Sequence, residues 1–179
     1  MQTFAAAVYK IRATFQRIDA TSDRCRPESI KAGTRTKLKK GKRPVRRKFE
    51  SESVPLPSDW FNFMALEDSK ADLALLLSNY LIDHRPSGQT MVVARGFSEA
   101  TIVKSSHPTL DLSMVEADHE EVDTRLILHC IHAHMESMVV YVRDTDVLVL
   151  MLAHYDKMGC TNLLMKAGTS KHQKYIPST

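Results

Sequence analysis

Residues 24–48 carry twelve of the chain's 25 lysines and arginines against one acid, Glu28, a formal charge of +11. Unpaired charge at that density cannot enter an apolar core, so this stretch must stay solvated and the fold must be assembled on either side of it. The whole chain of 179 residues is only +4, which leaves −7 on the remainder. Residues 24–58 also contain Pro27, Gly33, Gly41, Pro44, Pro55 and Pro57 and show no apolar periodicity, as expected of an arm or loop. The expected organisation is therefore an N-terminal helix and strand at 1–23, a basic arm at 24–58, and a core carrying an acidic site at 59–179.

With 43% apolar and 26% charged residues the chain can bury a sizeable core, which excludes collagen-like, coiled-coil and wholly disordered readings. No stretch approaches the roughly 18 to 20 consecutive apolar residues of a membrane span, and the N-terminus lacks a secretory layout. No membrane partner is expected, and the chain reads as soluble and intracellular. Cys25, Cys130 and Cys160 are odd in number and form no Cys-x-x-Cys pair, which supports neither a disulfide framework nor a zinc ribbon.

Phe4, Val8, Ile11 and Phe15 recur every three or four residues, the stripe of an amphipathic helix. Ile18 to Ser22 reads as a strand ending at Asp23. Ser58 or Asp59 is placed to cap a short helix holding Trp60, Phe61 and Phe63, and Ser69 with Asp72 three positions on resembles a capping box. The helix that follows runs to about Asp83 with Leu73, Leu76, Leu77, Tyr80 and Leu81 on its core face. Thr90 to Ala94 is a compact apolar run suited to a buried strand. Thr101 to Val103 is a further short strand. Asp118 is a good N-cap for a helix on which Val122, Leu126, Cys130 and Ala133 repeat. Ser137 to Val142 reads as a strand, Val147 to Ala153 as a buried helix, and Leu163 to Met165 with Tyr175 and Ile176 as a terminal ribbon. Strand, helix, strand and helix in alternation predict an α/β layer with parallel strands.

Two groups of acids stand at comparable places in that order. Glu121 and Asp123, with Glu120 beside them, open one helix, and Asp144 and Asp146 follow the next strand. In an α/β sheet the carboxyl ends of strands and the nearby helix starts form one rim. Carboxylates gathered there repel one another unless a cation lies among them, and oxygen-only ligands favour Mg²⁺ or Mn²⁺. The competing reading is that these acids cap helices and complement the helix dipole. Residues 121 and 123 are also about 200° apart on an ideal helix, which leaves Glu120 with Asp123 as an alternative pair. His129, His132 and His134 lack acid or cysteine partners at zinc-site spacing and read as helix-surface residues.

His119-Glu120-Glu121-Val122-Asp123-Thr124-Arg125 and, about twenty residues on, Asp144-Thr145-Asp146-Val147-Leu148 resemble the internal acidic motif of the flap endonuclease and XPG-type nucleases of PIN-like fold. The pattern is also similar to that of uncharacterised, transposon-associated animal proteins with Glu-Glu-Ala-Asp-Thr-Arg followed by Asp-Thr-Asp-Val. Upstream, Asp23, Pro27 and Lys31-Ala32-Gly33 resemble the family's strand-ending aspartate, its proline-bearing turn and the start of its arch helix.

The resemblance implies an α/β, PIN-like three-layer domain with a central, mainly parallel sheet. It further implies Glu121, Asp123, Asp144 and Asp146 as catalytic metal ligands, Asp23 as an outer ligand and Lys31 as a phosphate contact. The family's first-strand aspartate and its late aspartate have no counterparts, so a domain incomplete at both ends and a truncated or inactive copy are expected. The activity implied is hydrolysis of phosphodiester bonds in DNA or RNA by water activated on two ions about 4 Å apart.

Lys37, Lys39, Lys40, Lys42, Arg43, Arg46, Arg47 and Lys48 then suit the backbone of single-stranded or branched DNA, and the same composition suits nuclear import. Two other functions compete: a non-catalytic nucleic-acid-binding remnant, and an α/β scaffold or interaction protein in which the acids only cap helices.

Overall fold

A computed structural model describes residues 5–6, 8–9, 14–22, 46–49, 51, 53–55, 57–94, 96–99, 101–116, 122–142, 144, 146–169 and 172–177, with side chains described as far as residue 167. The fold is mixed α/β, and the chain separates into two compact units, Met1–Glu120 and Glu121–Thr179. Where one central, mainly parallel sheet is expected, the described residues form two three-stranded sheets, each with one parallel and one antiparallel pair. Hydropathy marks strands but not their partners, which is why the sequence could not divide them.

In the first unit, strand β1 (Arg17–Thr21) runs parallel to β2 (Thr90–Ala94), with Ile18 opposite Met91 and Ala20 opposite Val93. Strand β3 (Val103–Ser105) closes the other side of β2 in the antiparallel sense. As the central strand, β2 buries Met91, Val92, Val93 and Ala94, so an uninterrupted apolar run replaces the alternation of a one-faced strand. Met91 and Val93, two apart and therefore on one face, pack with Ile18, Tyr80, Leu81, Phe97 and Ala5. Residues 5–6 and 8–9 are helical, in keeping with the N-terminal stripe.

The parallel β1–β2 crossover carries two helices. Helix α1 (Trp60–Phe63) begins at Asp59, whose Oδ1 accepts the Asn62 backbone N–H at 3.0 Å, a side-chain N-cap. Helix α2 (Glu67–Asp83) starts two residues before Ser69, so Ser69 and Asp72 do not form a capping box. Leu66 is the N-cap residue, with no side-chain bond, and Glu67 and Asp68 face the positive end of the helix dipole. Ser69 is instead fully buried inside the helix, and among the described residues its Oγ has no hydrogen-bond partner. Leu73, Tyr80 and Leu81 form the deepest part of the core face, and Leu76 and Leu77 lie at its edge.

The second unit opens with helix α3 (Val122–Ala133), followed by β4 (Ser137–Tyr141), helix α4 (Asp146–Ala153), the short helix α5 (Tyr155–Met158), β5 (Asn162–Thr169) and β6 (His172–Pro177). Strands β4 and β5 are parallel, joined over α4 and α5, and β5 and β6 form the antiparallel terminal ribbon. Met138 opposite Leu163 and Val140 opposite Met165 direct alternate side chains into one core with Ile127, Val147, Met151 and Met158. On the other face Lys166 sits opposite Tyr141 with its ammonium 4.9 Å from the ring centroid.

Helix α5 ends at Gly159 in the left-handed conformation, φ 63°, and a Cβ there would lie 2.1 Å from Cε1 of the His134 ring. His134, itself at φ 46°, starts the short connection from α3 to β4. Glycine is therefore favoured at 159 by its backbone angle, while the exposed His134 ring would have to turn aside for any larger residue.

The expected face of α3 requires correction. Val122, Leu126, Cys130 and Ala133 are only half-buried, and the residues driven inside are Arg125, Ile127 and His129. His129, read from sequence as a surface residue, is 2% exposed, and the Arg125 side chain is completely enclosed. Nor is the apolar run of α4 all core, because Val147 and Met151 are buried whereas Val149 and Leu152 are exposed.

Candidate acidic site

The acids of the second unit are positioned by a helix and a strand that fold back on one another. Only residues 134–136 separate α3 from β4, and both elements pack into one core. Twelve helical residues rise roughly 18 Å, and five extended residues span roughly 16 Å. The two elements are therefore of similar length. Asp123 lies in the first turn of α3, and Asp144 and Asp146 follow the carboxyl end of β4 at the start of α4. This is the rim of the parallel β4–β5 pair.

Asp123 is half-buried, and Asp144 and Asp146 are exposed. The Asp146 backbone N–H donates to Asp144 Oδ1 at 3.0 Å, so one carboxylate oxygen of the pair satisfies an amide at the helix start. Its other oxygen, and the Asp146 carboxylate, take part in no ion pair among the described residues. Oxygen donors of this kind suit a hard divalent ion. Among the described residues, however, no three His, Cys, Asp or Glu side chains are grouped to hold a metal.

Glu121 lies outside the described residues, as do Asp23, Lys31, Lys37, Lys39, Lys40, Lys42 and Arg43. In the first unit Asp19 of β1 is held by Arg17, whose Nε and Nη2 donate to its two oxygens at 2.7 and 2.8 Å. This two-pronged pair occupies both oxygens and fixes the acid on its strand.

Arg46, Arg47 and Lys48 mark the described end of the basic segment. Arg46 pairs with Asp72 of α2 at 2.8 Å, Arg47 Nη1 donates to the Pro55 carbonyl at 2.6 Å, and Lys48 is exposed. Phe49 inserts its ring edge-on against Phe63 at 5.4 Å and is buried with Leu73.

Sequence reasoning gives Arg125 no role and places His129 on the surface, yet the two, one helical turn apart, are both enclosed. A buried guanidinium requires compensating partners, so Arg125 belongs to the enclosed side of α3 rather than to the solvated helix face. Its only signal in sequence was its place in the acidic motif. Burial also raises the thiol pKa of Cys160, which suits a structural cysteine. Among the described residues no helix is long and apolar enough to cross a membrane. Compared with known proteins, the chain matches no family model, no curated protein and no solved structure.

Proposed function

We propose that the chain is a nuclease-like domain of PIN-like, flap endonuclease type, which hydrolyses phosphodiester bonds with Mg²⁺ or Mn²⁺. One observation carries this reading: Asp144 and Asp146 stand exposed where a parallel-paired strand ends and the next helix begins. Asp144, through the oxygen that does not bind the Asp146 amide, and Asp146 would contribute to the cation site, with Asp123 and Glu121 assigned to it on the strength of the motif alone, since among the described residues Asp123 is not grouped with the pair. A bound ion supplies a polarised water and stabilises the departing oxygen. The side chains orient that ion, and the basic segment holds the polyanion.

The Asp144–Asp146 bond also favours a second reading, in which the acids are helix caps and the domain binds nucleic acid without cleaving it. Asparagine separates the two, because it keeps the capping oxygen and loses the charge. Cleavage of end-labelled single-stranded and flap DNA is measured with Mg²⁺, Mn²⁺ or EDTA. The nuclease reading expects metal-dependent cleavage that falls to background in Asp144→Asn and Asp146→Asn, with melting unchanged in Asp144→Asn. Equal cleavage in both variants, or no cleavage and no shift in melting with either ion, overturns it.

A further inference from the structure

We infer that Trp60 and Phe61, beside the anchored end of the basic segment, form a stacking platform for single-stranded nucleic acid. This surface lies in the first unit and rests on the nucleic-acid half of the function proposed above, not on the carboxylates. Helix α1 buries one of its three aromatic rings, Phe63, and leaves Trp60 45% and Phe61 67% exposed. Phe63 is the hinge of the arrangement, with Phe49 edge-on at 5.4 Å and Trp60 at 5.3 Å with planes inclined by 33°. The chain segment that ends in Phe49 is thereby held within two ring contacts of Trp60. The cations of that segment are fixed by their own contacts, Arg46 to Asp72 and Arg47 to the Pro55 carbonyl, and Lys48, next to Phe49 in the chain, is exposed.

Two large rings facing water on a four-residue helix form an exposed apolar surface, and Phe49, which shares Phe63 with Trp60, directly follows the exposed cation Lys48 in the chain. Bases stacking on aromatic faces while lysine and arginine neutralise phosphates is the chemistry of sequence-tolerant single-strand binding. An anionic membrane surface is disfavoured because a four-residue helix cannot lay a long apolar face into lipid.

Trp60 is the only tryptophan, so its emission reports on the platform directly. The full-length chain is titrated with a twelve-nucleotide oligothymidine and, separately, with phosphatidylserine-containing vesicles, both in EDTA so that cleavage is absent. Saturable quenching by the oligonucleotide is expected, weakened by about tenfold in Phe61→Ala, as for the loss of one stacked base. Lys48→Ala should reduce the slope of log affinity against log salt by about one, as for one lost phosphate contact.

Because Phe61 is largely exposed, an unchanged melting curve for its variant separates lost stacking from lost folding. Oligonucleotide binding without quenching, equal affinity in Phe61→Ala, or a response to vesicles alone overturns the inference. Quenching without metal-dependent cleavage defeats the nuclease reading and leaves the platform standing. Cleavage without quenching does the reverse.

Discussion

Asp144 accepts the backbone N–H of Asp146 through Oδ1 at 3.0 Å, so the acid that looks from sequence like a metal ligand also serves the start of its own helix. The two roles use different atoms and respond differently to substitution. Asp144→Ala should lower stability by about 1 kcal/mol, the usual worth of a capping side chain, whereas Asp144→Asn should change it little. Urea unfolding of the two variants checks this, and equal losses would show that charge rather than the cap holds the turn.

Gly159 and the His134 ring occupy space that a methyl group cannot share. Gly159→Ala should lower stability by about 1 to 2 kcal/mol, most of it the left-handed backbone penalty and the remainder displacement of the exposed ring. In a His134→Ala background the ring is gone, and the same substitution should cost only about 1 kcal/mol. A double-mutant cycle measured by thermal unfolding tests the difference, and additive losses would show that the contact does not matter.

Tyr9 donates its hydroxyl to the Leu81 carbonyl, and burial first, then the charge of Tyr80, pushes its pKa from 10.0 to about 12. The folded state therefore retains the phenolic proton that the unfolded chain releases earlier. Its contribution is complete below pH 10 and is lost as pH rises from there to about 12. Tyr9→Phe should lower stability at neutral pH by about 1 kcal/mol through loss of the hydrogen bond. It should also flatten the decline between pH 10 and 12, and an unaltered decline would assign it to other groups.

Phe49 and Arg46 both fasten the end of the basic segment, but by interactions of different worth. Phe49→Ala should destabilise by about 3 kcal/mol because a buried ring and its contact with Phe63 are removed. Arg46→Ala breaks a largely exposed ion pair and should cost less than about 1 kcal/mol. Trp60 fluorescence during unfolding reads both, and the reverse order would mean that charge anchors this segment.

Much of the element order was legible because local chemistry decided it. The apolar run Thr90 to Ala94 is β2 to the residue, Asp59 caps α1, and the terminal apolar pair forms a ribbon. The faces of the helices were less legible. On α3 an apolar repeat pointed to Val122, Leu126, Cys130 and Ala133, yet Arg125 and His129 lie deeper. A repeat gives the angle between side chains, not the depth to which neighbouring elements cover each one. On α4 nearly every residue is apolar, so no periodicity existed from which to choose Val147 and Met151 over Val149 and Leu152.

For the candidate site, sequence alone supplied the residue types, their spacing and the alternation of helix and strand. It also marks residues 24–48 as a +11 segment whose charge density disfavours burial. Tertiary structure decided which strands pair, which side of α3 is enclosed, that Asp144 spends one oxygen on a backbone amide, and that Trp60 and Phe61 face solvent. Those outcomes depend on contacts between residues far apart in the chain, and no local pattern carries the energy of a partner that arrives only on folding.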